Sequence, residues 1–341
     1  MVDVAIVSFR LGARDGVSIE AAKWEWALRS LGHRVATVAG EGVADVMVPG
    51  LAMDASSAPT PDELVDALHD ADLVVVENLA SLPLNPTARD TLYDVLEDRA
   101  ALFHHHDLAW QRDAFAYLDG PRDRPLWRHV TINELSRREL AARGIVATTM
   151  MNSFDCDPPD GDRAATREAL GLSDQRVALM ATRAIPRKNV AGALALCAAL
   201  DATLWLLGPS EEGYEDELEI LLRDTGVDSR RGLPGGLSVH DAYAASDLVV
   251  MASTWEGFGN PVLESVTHRR ALALNLYPVA EEIVAHGFEF FGLDDARAID
   301  AFLDEPDSEL FERNLAIARR DFNLTALPGR LASLLTQWGF A

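Results

Sequence analysis

Two glutamates in the second half of the chain are separated by seven residues and enclose a glycine-rich turn. The stretch STWEGFGNPVLESV contains Glu256 and Glu264. Its Gly-Phe-Gly segment lets the backbone approach a ligand closely, and Asn260 followed by Pro261 predicts a helix cap and a first helical position. The amides of such a helix start, with the partial positive charge of the helix end, suit a phosphate group.

The two carboxylates suit hydroxyl groups better than the phosphate itself. A carboxylate repels a phosphate, but it accepts hydrogen bonds from paired hydroxyls such as those of a ribose or a pyranose. The arrangement therefore indicates a ligand with hydroxyls on both sides of a phosphate, which is a nucleotide-sugar. The alternative is that Glu264 only stabilises the helix dipole and that Glu256 is solvated.

A second segment, MATRAIPRKNV, supplies positive charge. It follows an apolar run and opens a helical pattern, which places Arg183, Arg187 and Lys188 at another strand end. A diphosphate removed from water needs charge-assisted hydrogen bonds, each contributing about 1.5–3 kcal/mol. A solvated basic turn is the usual explanation of such a run, but the chain is otherwise acidic, with a formal net charge of −24.

The elements that must position these segments follow an alternating order. Short apolar runs, typical of parallel strands covered on both faces, alternate with helical patterns along both halves. The predicted strands are residues 4–9, 34–38, 73–76, 101–105, 129–132, 147–151, 177–182, 204–207, 248–252 and 271–274. The predicted helices are residues 18–31, 61–69, 86–96, 163–170, 190–200, 215–223, 261–268 and 281–285. The fold class is therefore α/β, with two doubly wound Rossmann-like domains.

Local signals support this division. Residues 71–86 and 246–261 both start with Asp-Leu-Val-Val after one residue and both end with Asn-Pro, so each predicts a strand, a loop and an Asn-capped helix, unless the likeness is chance. Thr60-Pro61-Asp62-Glu63 predicts a capping box.

The polar stretch NSFDCDPPDGDR favours a domain boundary. We expect domains over residues 1–155 and 156–322 and a final amphipathic helix within 323–341 that packs back on the first domain.

Charge and composition exclude several functions. The acidic balance argues against nucleic-acid binding, and the chain lacks an apolar run of about 20 residues that could span a membrane. The N-terminus does not resemble a signal peptide, and two cysteines cannot form a disulfide framework, so we expect a cytoplasmic protein. Trp24 and Trp26 could mark a membrane-surface helix, but Glu20 and Glu25 dilute its basic face and favour packing instead.

Three consecutive histidines, His104, His105 and His106, precede Asp107. Neighbouring strand residues point to opposite faces, so three in a row cannot easily bind one ion, and the usual zinc spacings are absent. We therefore expect no metal site, with one histidine lining the ligand site and the others packed.

The motifs together resemble a known family. EGFGNPVLE resembles the glutamate–seven–glutamate signature of retaining glycosyltransferases with the GT-B fold, especially family 4, and TRAIPRK is similar to the Arg and Lys pair that precedes it. More loosely, GARDGVSIEAA resembles the glycine loop before the first long helix, and FHHHD resembles a strand-end His-Asp. The resemblance implies two Rossmann-like domains facing a deep cleft. It departs from the family at His268-Arg269-Arg270, where glycine is usual, and at Arg14-Asp15, where a paired glycine is common.

The resemblance also implies roles for individual residues. Arg183 and Lys188 would hold the donor diphosphate as the leaving group, and Glu264 would bind the ribose hydroxyls. Glu256 would contact the transferred sugar, Gly16 would let the first loop approach the donor phosphate, and His106 would line the acceptor side. The backbone beside Glu256 would contribute through Gly257, Phe258, Gly259 and Asn260. The family needs no metal and no cofactor, because basic side chains and a helix end take the place of a metal.

The sequence therefore predicts a retaining hexosyltransferase that moves a sugar from a UDP- or GDP-linked donor to a hydroxyl acceptor. A small polar acceptor is favoured over a lipid or a glycan. One alternative with the same fold is a retaining glycoside phosphorylase, which would release a sugar phosphate and need no nucleotide. Another is a two-lobed sugar-binding protein without catalysis.

Overall fold

The computed structural model describes residues 1–13 and 15–340. Arg14, which the sequence marks as a departure from the family, lies outside the described residues. The chain divides into two compact units, the first formed by residues 1–153 with 324–341 and the second by residues 154–323.

The first unit is built on a parallel sheet, for which seven strands lie within the described residues. The strands are β1 (Asp3–Leu11), β2 (Arg34–Gly42), β3 (Val46–Met47), β4 (Leu73–Glu77), β5 (Ala101–His105), β6 (Trp127–Thr131) and β7 (Ala147–Thr149). The helices are α1 (Gly16–Ser30), α2 (Pro61–Ala67), α3 (Pro86–Leu96) and α4 (Glu134–Ala141). In the strand order β3-β2-β1-β4-β5-β6-β7, the chain adds strands toward one edge of the sheet from β1 to β3 and toward the other edge from β4 to β7. The switch point of this sheet therefore lies between β1 and β4.

The central strands show why their apolar runs are continuous. Every residue of β4 is buried. Val74 and Val76 pack in the core on one side of the sheet, whereas Leu73 and Val75 pack in the core on the other side. Since both faces are covered, apolar residues are needed at successive positions and not only at alternate ones.

The second unit, all of whose residues are described, is a parallel sheet of six strands with order β10-β9-β8-β11-β12-β13. The strands are β8 (Arg176–Met180), β9 (Ala202–Leu206), β10 (Ser229–Arg231), β11 (Leu248–Met251), β12 (Ala271–Leu274) and β13 (Phe291–Gly292). The helices are α5 (Arg163–Ala169), α6 (Val190–Leu200), α7 (Glu215–Thr225), α8 (Val239–Ala245), α9 (Asn260–Thr267), α10 (Pro278–Val284), α11 (Ala296–Asp304) and α12 (Ser308–Asp321).

The last helix, α13 (Leu327–Gln337), returns to the first unit. Its Leu327, Leu331 and Leu335 share one apolar core with Trp24 and Leu28 of α1. Residues spaced by four lie on one helix face, so this leucine stripe attaches the C-terminal segment to the first unit.

The predicted capping box, the membrane-span prediction and the cysteines can each be described from the structure. The capping box is confirmed: the Thr60 side chain accepts from the backbone N–H of Glu63, and the Glu63 carboxylate accepts from the backbone N–H of Thr60 at 2.8 Å. No helix in the described part of the chain is both long and apolar enough to cross a membrane. Cys156 and Cys197 are both buried and free of a disulfide.

Candidate active site

The two charged segments of the second unit meet at one edge of its sheet. Strands β8 and β11 are adjacent and parallel, with Leu248 beside Ala178, so the segments that follow them leave the same edge. The backbone N–H of Thr254 donates to the carbonyl of Arg187 at 2.9 Å and joins the two loops. The strand order reverses between β8 and β11, and such switch points are where open α/β sheets bind ligands.

Glu256 forms the centre of a buried ion cluster at this edge. Its carboxylate accepts a hydrogen bond from Nζ of Lys188 and another, at 2.6 Å, from Nη1 of Arg187. The side chains of Glu256 and Lys188 are only 7% and 8% exposed. The alternative that Glu256 is solvated is therefore wrong.

The ionisation of this cluster follows from its burial and its charges. Burial alone would raise the pKa of Glu256, but the charges of Lys188 and Arg187 outweigh burial and lower that pKa to about 2. Burial lowers the pKa of Lys188, against the opposing effect of the Glu256 charge. A buried pair of this kind is costly to break, since removing one partner leaves the other charge unpaired.

Arg183 differs from the two cations that follow it. Its Nη1 donates to Oε2 of Glu211 at 2.5 Å, and both side chains are about two-fifths exposed. The three cations of the segment therefore face two carboxylates, and Arg183 holds its partner in a solvated pair. Arg187, which was predicted to lie at this strand end but had no individual role, is a member of the buried cluster; its position beside Lys188 in the motif was the available signal.

The start of α9 corrects one sequence prediction. Asn260 was expected to cap this helix, but the helix begins at Asn260 and the residue before it, Gly259, takes the cap position with φ +94°. A Cβ at Gly259 would lie 2.1 Å from Oη of Tyr277, and that hydroxyl donates to the carbonyl of Phe258 at 2.8 Å. Only glycine combines this left-handed backbone with such a close neighbour.

The turn before this helix start is buried. Gly257 and Phe258 are both buried, and the Phe258 ring stacks on that of Phe154 with centroids 5.8 Å apart. The Phe258 side chain is therefore part of the packing, so its backbone is the part that a ligand could contact.

Glu264, on α9, is held by a residue that the sequence analysis did not identify. Tyr243 is fully buried, and its hydroxyl donates to Oε2 of Glu264 at 2.6 Å. Burial and the Glu264 charge raise the pKa of Tyr243 well above its usual range, so Tyr243 stays a neutral donor. The His268 ring stacks on Tyr243 at 4.4 Å, so His268, where the family usually has glycine, packs behind this pair.

In the first unit, the histidines divide between the two faces of the sheet as the strand alternation predicts. Nε2 of His105 lies 2.9 Å from Nδ1 of His129. On the other face, Nδ1 of His104 and Nε2 of His106 lie 2.9 Å and 2.7 Å from Oε2 of Glu77.

Glu77 had no role in the sequence analysis, where the predicted strand over residues 73–76 ended one residue before it. One atom each of Glu77, His104 and His106 lies within 4.8 Å of the others, a spacing that a metal ion could use. The expectation that the protein needs no metal stays a prediction.

Gly16 is the first residue of α1. The carboxylate of Asp15 caps this helix by accepting from the backbone N–H groups of Val17 and Ser18, both at 3.1 Å. A Cβ at Gly16 would meet no atom of the described residues within 4 Å. The space above Gly16 is thus open, and packing within the described residues does not require glycine at this position.

Comparisons with known proteins agree with the fold, and the matched family region includes both charged motifs. Residues 162–312 match the family described as Glycosyl transferases group 1. Mannosylglucosylglycerate synthase of Thermotoga maritima is 25% identical, over 95% of this chain and 97% of the relative. The synthase of the same name from Petrotoga mobilis is 25% identical, over 85% of this chain and 86% of the relative.

A solved structure shows the same fold. Anabaena HepE in complex with UDP-glucose aligns with a TM-score of 0.76 and 17% identity, over 99% of this chain and 100% of that chain. The chain therefore has the GT-B fold, and its second unit carries a group 1 glycosyl transferase domain.

Proposed function

We propose that this protein is a retaining hexosyltransferase that uses a nucleotide-sugar donor bound by its second unit. The observation that carries the proposal is the junction of the segment from Arg183 to Lys188 with Glu256 at the carboxyl ends of β8 and β11. Relatives named for the synthesis of mannosylglucosylglycerate and a fold neighbour solved with UDP-glucose support such a donor.

The cations of the site divide the work of holding the diphosphate. The pair of Arg183 with Glu211 is solvated, and exposed pairs contribute only about 0–1 kcal/mol. A diphosphate can therefore replace Glu211 as the partner of Arg183 at little cost. Lys188 stays anchored by Glu256 and presents its remaining N–H groups from a fixed position, since an ammonium carries three donors.

The carboxylates bind the sugars on either side of the diphosphate. Glu264, oriented by Tyr243, accepts hydrogen bonds from the ribose hydroxyls. Glu256 is ionised at neutral pH, so it accepts hydrogen bonds from the transferred sugar. The amides near Gly259, at the start of α9, add donors toward the phosphates.

These groups support transfer without a metal ion or another cofactor. When the bond from the anomeric carbon to the diphosphate breaks, negative charge grows on the leaving oxygen, and Arg183 and Lys188 are placed to stabilise it. The acceptor hydroxyl attacks the same face of the sugar and gives its proton to the leaving oxygen, which retains the configuration. His106 of the first unit serves the acceptor side in this proposal.

The acceptor is a small polar molecule with a free hydroxyl. The names of the two relatives support this size class, and they point to a mannosyl group, whereas the fold neighbour holds UDP-glucose. Both UDP- and GDP-linked hexoses are therefore donors to be tested.

The first experiment is a thermal-shift screen of the purified chain with UDP, GDP and their hexoses. A ligand at a hundred times its Kd adds about 2.7 kcal/mol to stability, so one nucleotide should raise the Tm clearly. The donor found is then incubated with glucosylglycerate, simple hexose glycosides and inorganic phosphate, with and without EDTA. We expect an EDTA-resistant glycoside product with the anomeric configuration of the donor.

Lys188→Ala and Arg223→Ala form a matched pair for this assay. Arg223 lies in an exposed pair with Asp224, with its side chain 70% exposed, so its loss should leave transfer unchanged. Lys188→Ala should lose more than about 99% of the transfer rate, since charge stabilisation of this kind contributes about 10²–10³-fold. Normal transfer by Lys188→Ala, an inverted product, or release of a sugar phosphate without a nucleotide would each contradict the proposal.

A further inference from the structure

A buried carboxylate in the first unit binds two imidazoles at once. Glu77 ends β4, is fully buried, and lies beside His104 of β5 in the parallel register. Strand β4 also neighbours β1, and the strand order of the first unit reverses between them. Glu77 therefore lies at the switch point of its unit, where ligands of α/β sheets bind.

The hydrogen bonds fix which ring nitrogens carry protons. An ionised carboxylate can only accept, so Nδ1 of His104 and Nε2 of His106 must both donate to Glu77. The backbone N–H of His106 donates to Oδ1 of Asn78 at 3.0 Å, which holds the residue itself in place. No protein group among residues 1–13 and 15–340 hydrogen-bonds Nδ1 of His106, so this atom is the one available to a substrate.

We propose that Glu77 is a positioning residue for His106: it orients the ring through Nε2 and keeps it cationic, so that Nδ1–H is presented as a hydrogen-bond donor to a substrate hydroxyl. This inference rests on the role of His106 in the proposed function. It adds a partner for His106 that acts through that residue and does not touch the substrate itself.

The charges around His106 come from several elements and favour the cationic ring. Helix α1 contributes Glu20, which is buried and paired with Lys23, and β4 contributes Glu77. Asp107, next in the chain, forms an ion pair at 3.1 Å with Arg112. With Lys23 balancing Glu20 and Arg112 balancing Asp107, one additional proton on one of the two imidazoles balances Glu77.

That proton belongs on His106 and not on His104. Burial lowers the pKa of His104, whose ring stacks on Trp24 at 4.1 Å. Burial also acts to lower the pKa of His106, but the hydrogen bond and the charge of Glu77, with smaller contributions from Glu20 and Asp107, outweigh it and raise that pKa. The Glu77 carboxyl itself has a pKa lowered to about 2, because the histidine charges and hydrogen bonds outweigh its burial.

The test compares Glu77→Gln with wild type over a range of pH. The variant keeps the side-chain shape but removes the negative charge. If cationic His106 is the active form, activity is present below its pKa and is lost as the pH rises through it. Glu77→Gln lowers that pKa, so the alkaline decline of kcat should move to lower pH, and kcat at pH 7.5 should fall about tenfold to a hundredfold.

A double variant separates positioning from general damage to the fold. In a His106→Gln background, Glu77→Gln should cause almost no further loss of kcat, because its effect passes through the missing ring. An equal loss in both backgrounds would overturn the proposal, and so would an unshifted pH profile.

A spectroscopic measurement keeps this inference distinct from the proposed function. NMR titration of the histidine ring nitrogens should show His106 as an imidazolium at neutral pH in wild type and as a neutral ring in Glu77→Gln. If wild type transfers no sugar, the proposed function fails and the role of Glu77 in catalysis fails with it. The titration can still show, in that case, whether Glu77 keeps the His106 ring protonated. A zinc ion retained by the purified protein at these three side chains would also overturn the proposal, because the ring protons would be displaced.

Discussion

Replacement of Lys188 by methionine tests the buried ion cluster through stability. Methionine fills a similar volume but leaves Glu256 with Arg187, which donates at 2.6 Å, as its partner. The pKa of Glu256 lies at about 2 in the fold against an ordinary 4.5, a difference that corresponds to about 3 kcal/mol at 1.36 kcal/mol per pKa unit. Since one of two cations remains, we expect the free energy of unfolding at pH 7 to fall by about 1–3 kcal/mol.

The pH dependence gives this prediction its sign. The pKa of Glu256 is lowered in the folded state, so the stabilisation is present above pH 4.5 and is lost as the pH falls toward 2. The stability difference between Lys188→Met and wild type should therefore shrink over this interval. Below about pH 2 it should be nearly gone, because Glu256 is then protonated in both proteins.

The assay is urea denaturation at several pH values, with Arg223→Met as the control. The pair of Arg223 with Asp224 is exposed, and such pairs contribute about 0–1 kcal/mol. Hydrogen exchange of β8 and β11, followed by mass spectrometry, assigns the transition to the second unit. Equal stability of Lys188→Met and Arg223→Met at pH 7 would show that the buried ion cluster does not stabilise the fold, and a difference unchanged at pH 2 would show that Glu256 ionisation is not its source.

Three further substitutions follow from the site. Gly259→Ala should destabilise the second unit by more than about 2 kcal/mol in urea denaturation, because its Cβ would lie 2.1 Å from Oη of Tyr277 and its backbone has a φ of +94°. A variant as stable as wild type would contradict this close approach. Gly16→Ala should keep wild-type stability within about 0.5 kcal/mol, since its Cβ meets open space among the described residues. The same variant should raise the KM for the donor, and an unchanged KM would count against a role of Gly16 in donor binding. Tyr243→Phe should weaken nucleotide binding about fivefold to tenfold in calorimetry, because Glu264 loses a donor at 2.6 Å; unaltered affinity would count against ribose binding by Glu264.

The core strands and several helices could be predicted from the sequence because their signals are local. Residues 101–105, 271–274, 86–96 and 190–200 were predicted with the bounds that the structure has. Buried runs and proline or asparagine at helix starts define such elements without knowledge of their neighbours. Strands β3, β10 and β13 and helices α4, α8, α11 and α12 were missed. The three strands have two or three residues each, too few to show a period.

The site was predictable where a motif combined residue types with spacing. Glu256, Lys188 and Arg183 were chosen as candidates in this way, and the structure brings their two segments to one sheet edge. The partners of Glu264 and His106 could not be found, since Tyr243 and Glu77 reach them through tertiary contacts between different elements.

The misassigned cap of α9 has the same cause. The likeness of residues 246–261 to residues 71–86 predicted the same asparagine cap in both segments. The structure has that cap at Asn85, whose side chain accepts from the backbone N–H of Ala88. At Gly259 the hydroxyl of Tyr277, the residue that precedes α10, leaves no room for a Cβ, and the backbone has a φ of +94°. A local comparison of two sequence segments cannot show such a neighbour.

A crystal structure of the protein with the nucleoside diphosphate that raises its Tm most is the most direct test of the donor site. We predict that the diphosphate lies at the carboxyl ends of β8 and β11, within hydrogen-bond distance of Arg183 and Lys188, with the ribose hydroxyls on Glu264. A nucleotide bound elsewhere, or a ribose that leaves Glu264 uncontacted, would contradict the account.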